Sequence, residues 1–449
     1  MMIRFLPLAL ILSAGTAVGP DYKAPKAPIA ASFANGGAGA IGDISAQQWW
    51  LGFSDPVLTG LVNRGLAQNL DLRTALARVS EAQAAARATG LPAQISGSVT
   101  GSATRDGGDS RASTTTRQAG ISPTLIIDLF GGTARAREQA LAQLEAAELD
   151  VGTARLAYLS SLVSTYIDLR YYQQALALTR QTIASRRETL SLVQGQQEAG
   201  AATALSVAQS QAALDETLAS LPTLEQGFYA ATYAIATLLA VPVQQIEPML
   251  ERGAAQPMPR GAARAGLPAD LLRNRPDVHS AERDYAAAVA NVGVSEAELY
   301  PALSLGGTIT AASTTTWSFG PTLSIPLLTQ PLLRANRDRA VAQAKQAELA
   351  WQAAVLSAVE EVQVAQSDLA RTTRAVAATR RSVASYDRVV TLSRQTYEAG
   401  TTTLLDLLES QRSLATSQLS LASANRDLAA SWASVQVAAG KGWAVDDRR

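Results

Sequence analysis

The sequence predicts a mainly α-helical fold made of a duplicated unit, in which each copy holds long coiled-coil helices and one membrane β-hairpin. Three observations support this fold class: an internal repeat, two ladders of hydrophobic residues at intervals of seven, and four short segments that alternate apolar and small polar residues. The composition agrees, because 47% of the residues are hydrophobic but only 5% are aromatic. Alanine-rich, aromatic-poor chains suit closely packed long helices.

The internal repeat is clearest where Glu198-Ala199-Gly200 recurs as Glu398-Ala399-Gly400. At the same offset, one hydrophobic ladder matches another: Leu162, Leu169, Leu176, Ile183 and Leu190 in the first copy, and Val362, Leu369, Val376, Val383 and Val390 in the second. A seven-residue spacing predicts coiled-coil packing. We therefore expect a signal peptide, an N-terminal extended segment, a first repeat, a Pro/Gly-rich connector, a second repeat and a C-terminal tail, at 1–15, 16–56, 57–245, 246–267, 268–440 and 441–449.

Long helices are predicted on both sides of each repeated turn. The segment 332–398 contains no proline and would form one helix roughly 100 Å long. A turn at Gly400 leads into a return helix that ends near 439. The remaining predicted helices are 268–299 in the second repeat and 58–90, 133–196 and 202–241 in the first, with Pro222 expected to kink the last.

The four alternating segments predict two β-hairpins, at about 93–127 and 301–327. One apolar face and one face of small uncharged polar residues are typical of barrel strands between lipid and water, although a soluble two-sided hairpin is the alternative. About 11 residues at 3.3 Å, tilted by about 45°, cross roughly 26 Å, which is close to the hydrocarbon thickness. The predicted lipid-facing residues are Ile95, Val99, Leu303, Leu305, Trp317, Phe319 and Leu323, with Trp317 near the membrane interface.

Four strands are too few to close a barrel by themselves, because the smallest natural barrels use about eight. Open strand edges are not tolerated in lipid. Subunits are therefore expected to pool their strands, so that two chains supply eight and three chains supply twelve. A water-filled pore continued by a helical tunnel favours the trimer.

Composition excludes several classes of function. The chain has no cysteine and a single histidine, His279, which excludes thiol catalysis, disulfides, and zinc sites built from cysteine or several histidines. Its 38 basic and 38 acidic residues are interspersed, so no nucleic-acid partner is expected. Neither Gly131-Gly132 nor Gly306-Gly307 is followed by the residues of a phosphate-binding loop. The sequence predicts neither an enzyme nor a cofactor.

Residues 1–15 are predicted to be a secretion signal. Arg4 precedes the apolar run Phe5–Leu12, and small residues follow. This run is too short to span a bilayer as a helix, and we find no other segment with the length and apolarity of a membrane helix. An exported protein of this kind is expected to enter a membrane through β-strands.

Three groups of residues carry a family resemblance. They are Val18-Gly19-Pro20-Asp21-Tyr22, then Trp49-Trp50 with Phe53 and Asp55-Pro56, and finally Arg275-Pro276-Asp277-Val278 with Ala281-Glu282 and Tyr300-Pro301. Together they resemble the outer-membrane efflux lipoproteins, the NodT/OprM branch of the TolC-like proteins, over almost the whole chain. The resemblance implies a homotrimer with a 12-stranded β-barrel in the outer-membrane lipid of a Gram-negative bacterium, continued by a periplasmic α-helical barrel.

The same resemblance implies partners and a role. The trimer would dock onto a periplasmic adaptor (membrane fusion) protein linked to an inner-membrane transporter of the resistance-nodulation-division (RND) type. Drugs or other small toxic compounds would then leave passively. A type I protein secretion duct uses the same fold, but the motifs at 18–22 and 275–301 favour efflux. A soluble periplasmic coiled-coil scaffold is the alternative from another class.

The residue at position 16 departs from the family pattern. Members usually carry a lipidated cysteine where Thr16 stands, so this chain is expected to lack an acyl chain there. Either the barrel alone anchors the protein, or the cysteine has been replaced.

A candidate gate lies at the start of the second return helix. Leu405, Glu409 and Arg412 are four and three residues apart, so they share one helix face. The resemblance implies that this face lines a narrow periplasmic mouth, where three leucines would block by dewetting and three carboxylates would favour cations. A solvated Glu–Arg pair is the alternative. Asp406 aligns with an acidic ring position in relatives, but lies about 100° around the helix from Leu405.

The two helical-hairpin tips are the expected contacts with the adaptor. They are marked by Gly200 with Ala201 and by Gly400 with Thr401.

Overall fold

The computed structural model describes residues 17–34 and 39–444. The predicted secretion signal at 1–15, Thr16, and residues 445–449 of the predicted tail lie outside this range. The chain divides into two compact units. Unit 1 contains the segment up to Pro28 together with Leu76–Asp150 and Asp277–Ala354, and unit 2 contains Ile29–Ala75, Val151–Pro276 and the segment from Val355.

Over residues 17–34 and 39–444 helices dominate the secondary structure, and four strands lie between them. In chain order the main elements are α1 (Pro56–Gln68), α2 (Leu70–Arg87), β1 (Ile95–Gly108), β2 (Arg111–Ile127), α3 (Gly132–Glu198), α4 (Ala204–Leu238), α5 (Pro268–Asn274), α6 (Pro276–Ala297), β3 (Ala302–Ala311), β4 (Thr315–Ser324), α7 (Gln330–Glu398) and α8 (Leu404–Ala438). None of the helices in the described residues is both long enough and apolar enough to cross a membrane.

The single helix predicted over 58–90 is wrong, because Asn69 divides it into α1 and α2. The Asn69 N–H donates to the Gly65 carbonyl at 2.8 Å and so ends α1. Its side-chain oxygen accepts from the Leu72 N–H at 3.0 Å, which caps the start of α2. The side-chain amide of Asn69 also donates to the Leu238 carbonyl at 2.8 Å, so a tertiary contact holds the break in place.

The helix predicted over 268–299 is likewise divided, at Arg275. Pro276 has no N–H and disfavours helical geometry at the residue before it, so Arg275 adopts an extended conformation. By contrast, the two long helices and their return helices lie close to the predicted ranges. Pro222 lies within α4, and a kink there stays a prediction.

Both hydrophobic ladders lie in unit 2, and they differ in how deeply a single chain buries them. All five members of the first ladder, from Leu162 to Leu190, are buried. In the second ladder Val362 and Val376 are buried, whereas Leu369, Val383 and Val390 are only half-buried. One seam is therefore completed inside the chain, and the other keeps apolar surface that a neighbouring chain could cover.

The sheet of unit 1 is antiparallel, with the strand order β1-β2-β3-β4. Its register places apolar residues opposite one another across all four strands. One such row is Val99, Ile121, Ile309 and Trp317, and another is Ile95, Leu125, Leu305 and Pro321. The period-two pattern therefore builds one continuous apolar face.

A close backbone approach in unit 2 requires Gly440. This residue has φ +76°, and a Cβ there would lie 2.7 Å from the Asn274 carbonyl carbon. We expect Gly440→Ala to lower the free energy of unfolding by about 3 kcal/mol, because strain and overlap with backbone add. The measurement is the denaturant midpoint of the detergent-solubilised protein.

Gly42→Ala is the matched control for this prediction. Gly42 has a similar φ of +69°, but a Cβ there would meet nothing within 4 Å. Gly42→Ala should lower the free energy of unfolding by about 1 kcal/mol, which is the cost of the left-handed conformation alone. Equal losses in the two variants would contradict the explanation by close approach.

Candidate functional site

The two helical hairpins end in turns of the same design. Gly200 (φ +74°) follows α3 and Gly400 (φ +72°) follows α7, both in the left-handed conformation that commonly ends a helix. A Cβ on either glycine would meet nothing within 4 Å. Ala201 and Thr401 are exposed beside them. All four predicted adaptor-contact residues therefore lie on open turns in unit 2.

Side-chain contacts tie the two tips together within unit 2. The Tyr397 hydroxyl donates to Oε1 of Gln196 at 2.6 Å. Arg394 donates to Oγ of Ser185 at 3.2 Å and lies 3.8 Å from the Glu188 carboxylate. A partner that contacts one turn therefore meets the other beside it.

At the start of α8, buried and exposed side chains lie on different faces of the helix. Leu404 and Leu407 are buried, while the Leu405 side chain is 63% exposed. Glu409 and Arg412 are exposed on the same helix face as Leu405. Leu405 is thus an exposed large apolar residue beside two charges, whereas the neighbouring Leu404 and Leu407 are buried.

Glu409 and Arg412 form a two-point ion pair. Nε of Arg412 donates to Oε2 of Glu409 at 3.0 Å, and Nη2 donates to Oε1 at 2.9 Å. The hydrogen bond from Arg412 lowers the pKa of the Glu409 carboxyl. The carboxylate is therefore ionised at neutral pH, and its charge is balanced within the same chain.

Asp406 has a local role that the sequence analysis missed. Its Oδ2 accepts from the Thr403 hydroxyl at 2.6 Å and from the Thr403 N–H at 3.2 Å. In return, the Thr403 hydroxyl accepts from the Asp406 N–H at 3.2 Å. This capping box starts α8, and its hydrogen bonds lower the pKa of the Asp406 carboxyl. The spacing Thr403-Leu404-Leu405-Asp406 was the available signal.

A buried polar cluster behind the candidate gate was also missed. Gln411 is buried and donates to the Thr189 hydroxyl at 2.9 Å. Arg186 is buried too, donates to the Ala213 carbonyl, and lies 3.8 Å from the Glu216 carboxylate. Its desolvation lowers the pKa of the guanidinium. Both side chains line a cavity of about 90 Å³. The internal repeat could not have predicted the burial of Gln411, because Gln211, which occupies the matching position in the first repeat, is exposed.

The predicted lipid-facing residues all lie on the apolar face of the sheet. Several are highly exposed in a single chain: Val99 at 80%, Trp317 at 78% and Phe319 at 67%. Ile95 and Leu323 are exposed as well, and Leu303 and Leu305 are half-buried. Apolar exposure on this scale is unusual for a surface in water and marks a membrane or protein contact.

The opposite face of the sheet carries small polar side chains. Ser98 lies opposite Ser122, and Thr308 lies opposite Ser318, with 2.8 Å between the two hydroxyl oxygens of the second pair. Within the described strands, β1 and β4 each have one neighbour only. The sheet therefore has two different faces and two edges that can pair with further strands.

The N-terminal motif at 18–22 contacts residues of α3 and α6 within unit 1. The buried Arg135 pairs with Asp21 at 2.7 Å. The Tyr22 hydroxyl donates to Glu282 at 2.6 Å, and burial with this hydrogen bond raises the Tyr22 pKa. A Cβ on Gly19 would lie 2.5 Å from Cα of Gly293. These motifs therefore hold the N-terminal segment against the helices.

Comparison with known proteins agrees with this arrangement. The family model described as "Outer membrane efflux protein" matches residues 61–241 and 267–441. The chain belongs to the outer membrane efflux protein family. Nodulation protein T of Rhizobium leguminosarum bv. trifolii is 38% identical over 97% of each chain. The toluene efflux pump outer membrane protein TtgI of Pseudomonas putida is 31% identical over 99% of each chain.

A solved structure shows the same fold. The outer-membrane channel OprN matches with a TM-score of 0.85 and 28% identity, covering 95% of this chain and 99% of that one. The predicted fold class, that of the TolC-like channels, is confirmed. As an outer membrane efflux protein, the chain is a channel in the outer membrane with a periplasmic helical extension, and not an enzyme.

Proposed function

We propose that this protein is the outer-membrane exit duct of a tripartite efflux pump, which passively conducts drugs or other small toxic compounds to the exterior. The two-faced sheet carries the proposal. Its apolar face suits lipid, its face of small hydroxyl side chains suits a water-filled pore, and its two open edges suit closure with further chains.

A homotrimer accounts for both kinds of open surface. Three chains supply twelve strands, which close a barrel wide enough for water. The half-buried members of the second ladder, Leu369, Val383 and Val390, supply apolar surface for contacts between helices of neighbouring chains. We also propose that the repeats end near 57–245 and 268–440, each supplying one hairpin and its long helices.

The gate and the tips are assigned to the periplasmic end. In a trimer, the exposed face of α8 would place three copies of Leu405 around the axis, with Glu409 and Arg412 one and two turns further along the helix. The turns at Gly200 and Gly400 would contact the periplasmic adaptor, which links the channel to an inner-membrane transporter of the RND type. The name of the relative TtgI, a component of a toluene efflux pump, supports a small-molecule cargo.

The proposal is tested in a Gram-negative strain that lacks its own outer-membrane efflux channels. We expect resistance to small toxic compounds to return when this chain is expressed together with the adaptor and transporter of its own organism, and to stay absent when the adaptor is omitted. The complementing protein, purified in detergent, should have the mass of three chains.

Two outcomes would contradict the proposal. One is a stable monomer in detergent, because four strands with open edges cannot form a membrane pore alone. The other is export of a protein substrate through a type I system without any gain in resistance to small compounds.

A further inference from the structure

The connection from β4 to α7 exposes more apolar surface than a water-facing loop normally does. We call residues 325–333 the second junction. It carries five large apolar side chains and no charge. Leu328 is 97% exposed, Leu327 73% and Leu332 61%, and no large hydrophobic residue of the described chain is more exposed than Leu328. In a single chain Leu328 is therefore almost uncovered, and Leu327 and Leu332 are mostly exposed.

The internal repeat supplies a comparison within unit 1. The first junction, between β2 and α3, has Phe130 where the second has Leu328. Phe130 stacks on Tyr300 with ring centroids 4.6 Å apart, and its carbonyl accepts from the Val18 N–H at 3.0 Å. A Cβ on Gly131 would lie 2.5 Å from Cα of Ala17. The N-terminal segment packs on the first junction, where Leu129 is 45% exposed, whereas Leu327 and Leu328 of the second junction are 73% and 97% exposed.

The position and chemistry of the second junction indicate what covers it. Leu323, Ile325 and Leu327 continue the period-two spacing of the apolar sheet face beyond the end of β4. Two exposed cations, Arg334 and Arg339, then follow on α7. Apolar side chains followed by arginines match a leaflet boundary, where acyl chains give way to phosphates.

We propose that the second junction inserts into the periplasmic leaflet of the outer membrane. Leu327, Leu328 and Leu332 lie among the acyl chains, and Arg334 meets headgroup phosphates. This inference rests on the proposed lipid-facing orientation of the sheet. It adds a membrane contact, outside the barrel strands, on the side of the repeat that the N-terminal segment does not cover.

Site-directed spin labelling tests the proposal cleanly, because the chain has no cysteine to remove. Single variants Leu328→Cys and Leu332→Cys are labelled with a nitroxide in the trimer. The trimer is then placed in vesicles of phosphatidylethanolamine and phosphatidylglycerol. Collisions of the label with oxygen, which dissolves in lipid, are compared with collisions with a water-soluble nickel chelate. Val99→Cys is the lipid control and Ser96→Cys, on the small polar face, is the pore control.

We expect the ratio of oxygen to nickel collisions at both junction positions to exceed that at Ser96 severalfold. Low collision rates with both reagents would overturn the proposal, because a neighbouring subunit would then cover the leucines. A high nickel rate would overturn it as well, since the segment would lie in water. If Val99 itself fails to behave as a lipid site, the proposed sheet orientation fails, which separates that outcome from failure of the junction alone.

Discussion

Leu405→Ala should raise the conductance of the reconstituted trimer in planar bilayers severalfold. The Leu405 side chain is 63% exposed at the start of α8, and the proposed trimer brings three copies together at the narrow periplasmic mouth. An apolar ring excludes water from a constriction and so blocks ions. Truncation to alanine shortens each side chain, widens the constriction and admits water.

Leu205→Ala is the matched control for the gate. Leu205 occupies the corresponding position in the first repeat and is 67% exposed, but its helix face lacks a Glu–Arg pair because Gln209 and Ala212 stand at the matching positions. Its truncation should change conductance much less. An equal increase in both variants would show that the constriction does not depend on the face of Leu405.

The proposed gate also predicts that the charges beside Leu405 contribute to the ion preference of the channel, measured in the same experiment. Glu409→Gln should weaken cation preference, because it removes three carboxylates and leaves the three Arg412 charges that they balanced. Arg412→Gln should act by changing the pH at which the Glu409 carboxylate is protonated. Arg412 lowers the pKa of the Glu409 carboxyl, so its removal raises that pKa. As the pH falls, cation preference should then be lost at a higher pH than in the parent. Unchanged selectivity in both variants would place the ion filter elsewhere.

Val99→Arg should destabilise the assembled barrel by about 2–4 kcal/mol per chain, which is the cost of arginine on a lipid face near the bilayer midplane. Val99 is 80% exposed in a single chain and lies in the apolar row with Ile121, Ile309 and Trp317. The measurement is the denaturant midpoint of the trimer reconstituted in lipid vesicles.

Thr100→Arg is the control on the adjacent residue of the same strand. Successive strand residues point to opposite faces, so Thr100 belongs to the small polar face and its replacement should cost less than about 1 kcal/mol. A greater loss for Thr100→Arg than for Val99→Arg would mean that the two faces of the sheet are reversed. Equal losses would mean that neither face contacts lipid.

Local pattern was sufficient to predict most of the elements of this protein. The seven-residue ladders predicted the long helices, and the period-two segments predicted all four strands. Glycines at matching positions predicted both tip turns, because a left-handed residue after a helix is most easily supplied by glycine. The shared face of Leu405, Glu409 and Arg412 followed from helix geometry alone, and so did the contact between the two charges.

Tertiary contacts determined the features of the fold that the periodicity of the sequence does not encode. Asn69 interrupts a helix because the Leu238 carbonyl, distant in sequence, binds its side chain. Gln411 is buried and its repeat partner Gln211 is exposed, since neighbours differ between two copies that share a pattern. Ala17 and Val18 pack on Gly131 and Phe130 of the first junction, whereas Leu328 of the second junction is 97% exposed. The sequence by itself determined which faces are apolar, because that depends only on spacing along one helix or strand. Only the tertiary structure decided which of those faces the chain covers, because cover depends on residues that no local spacing relates.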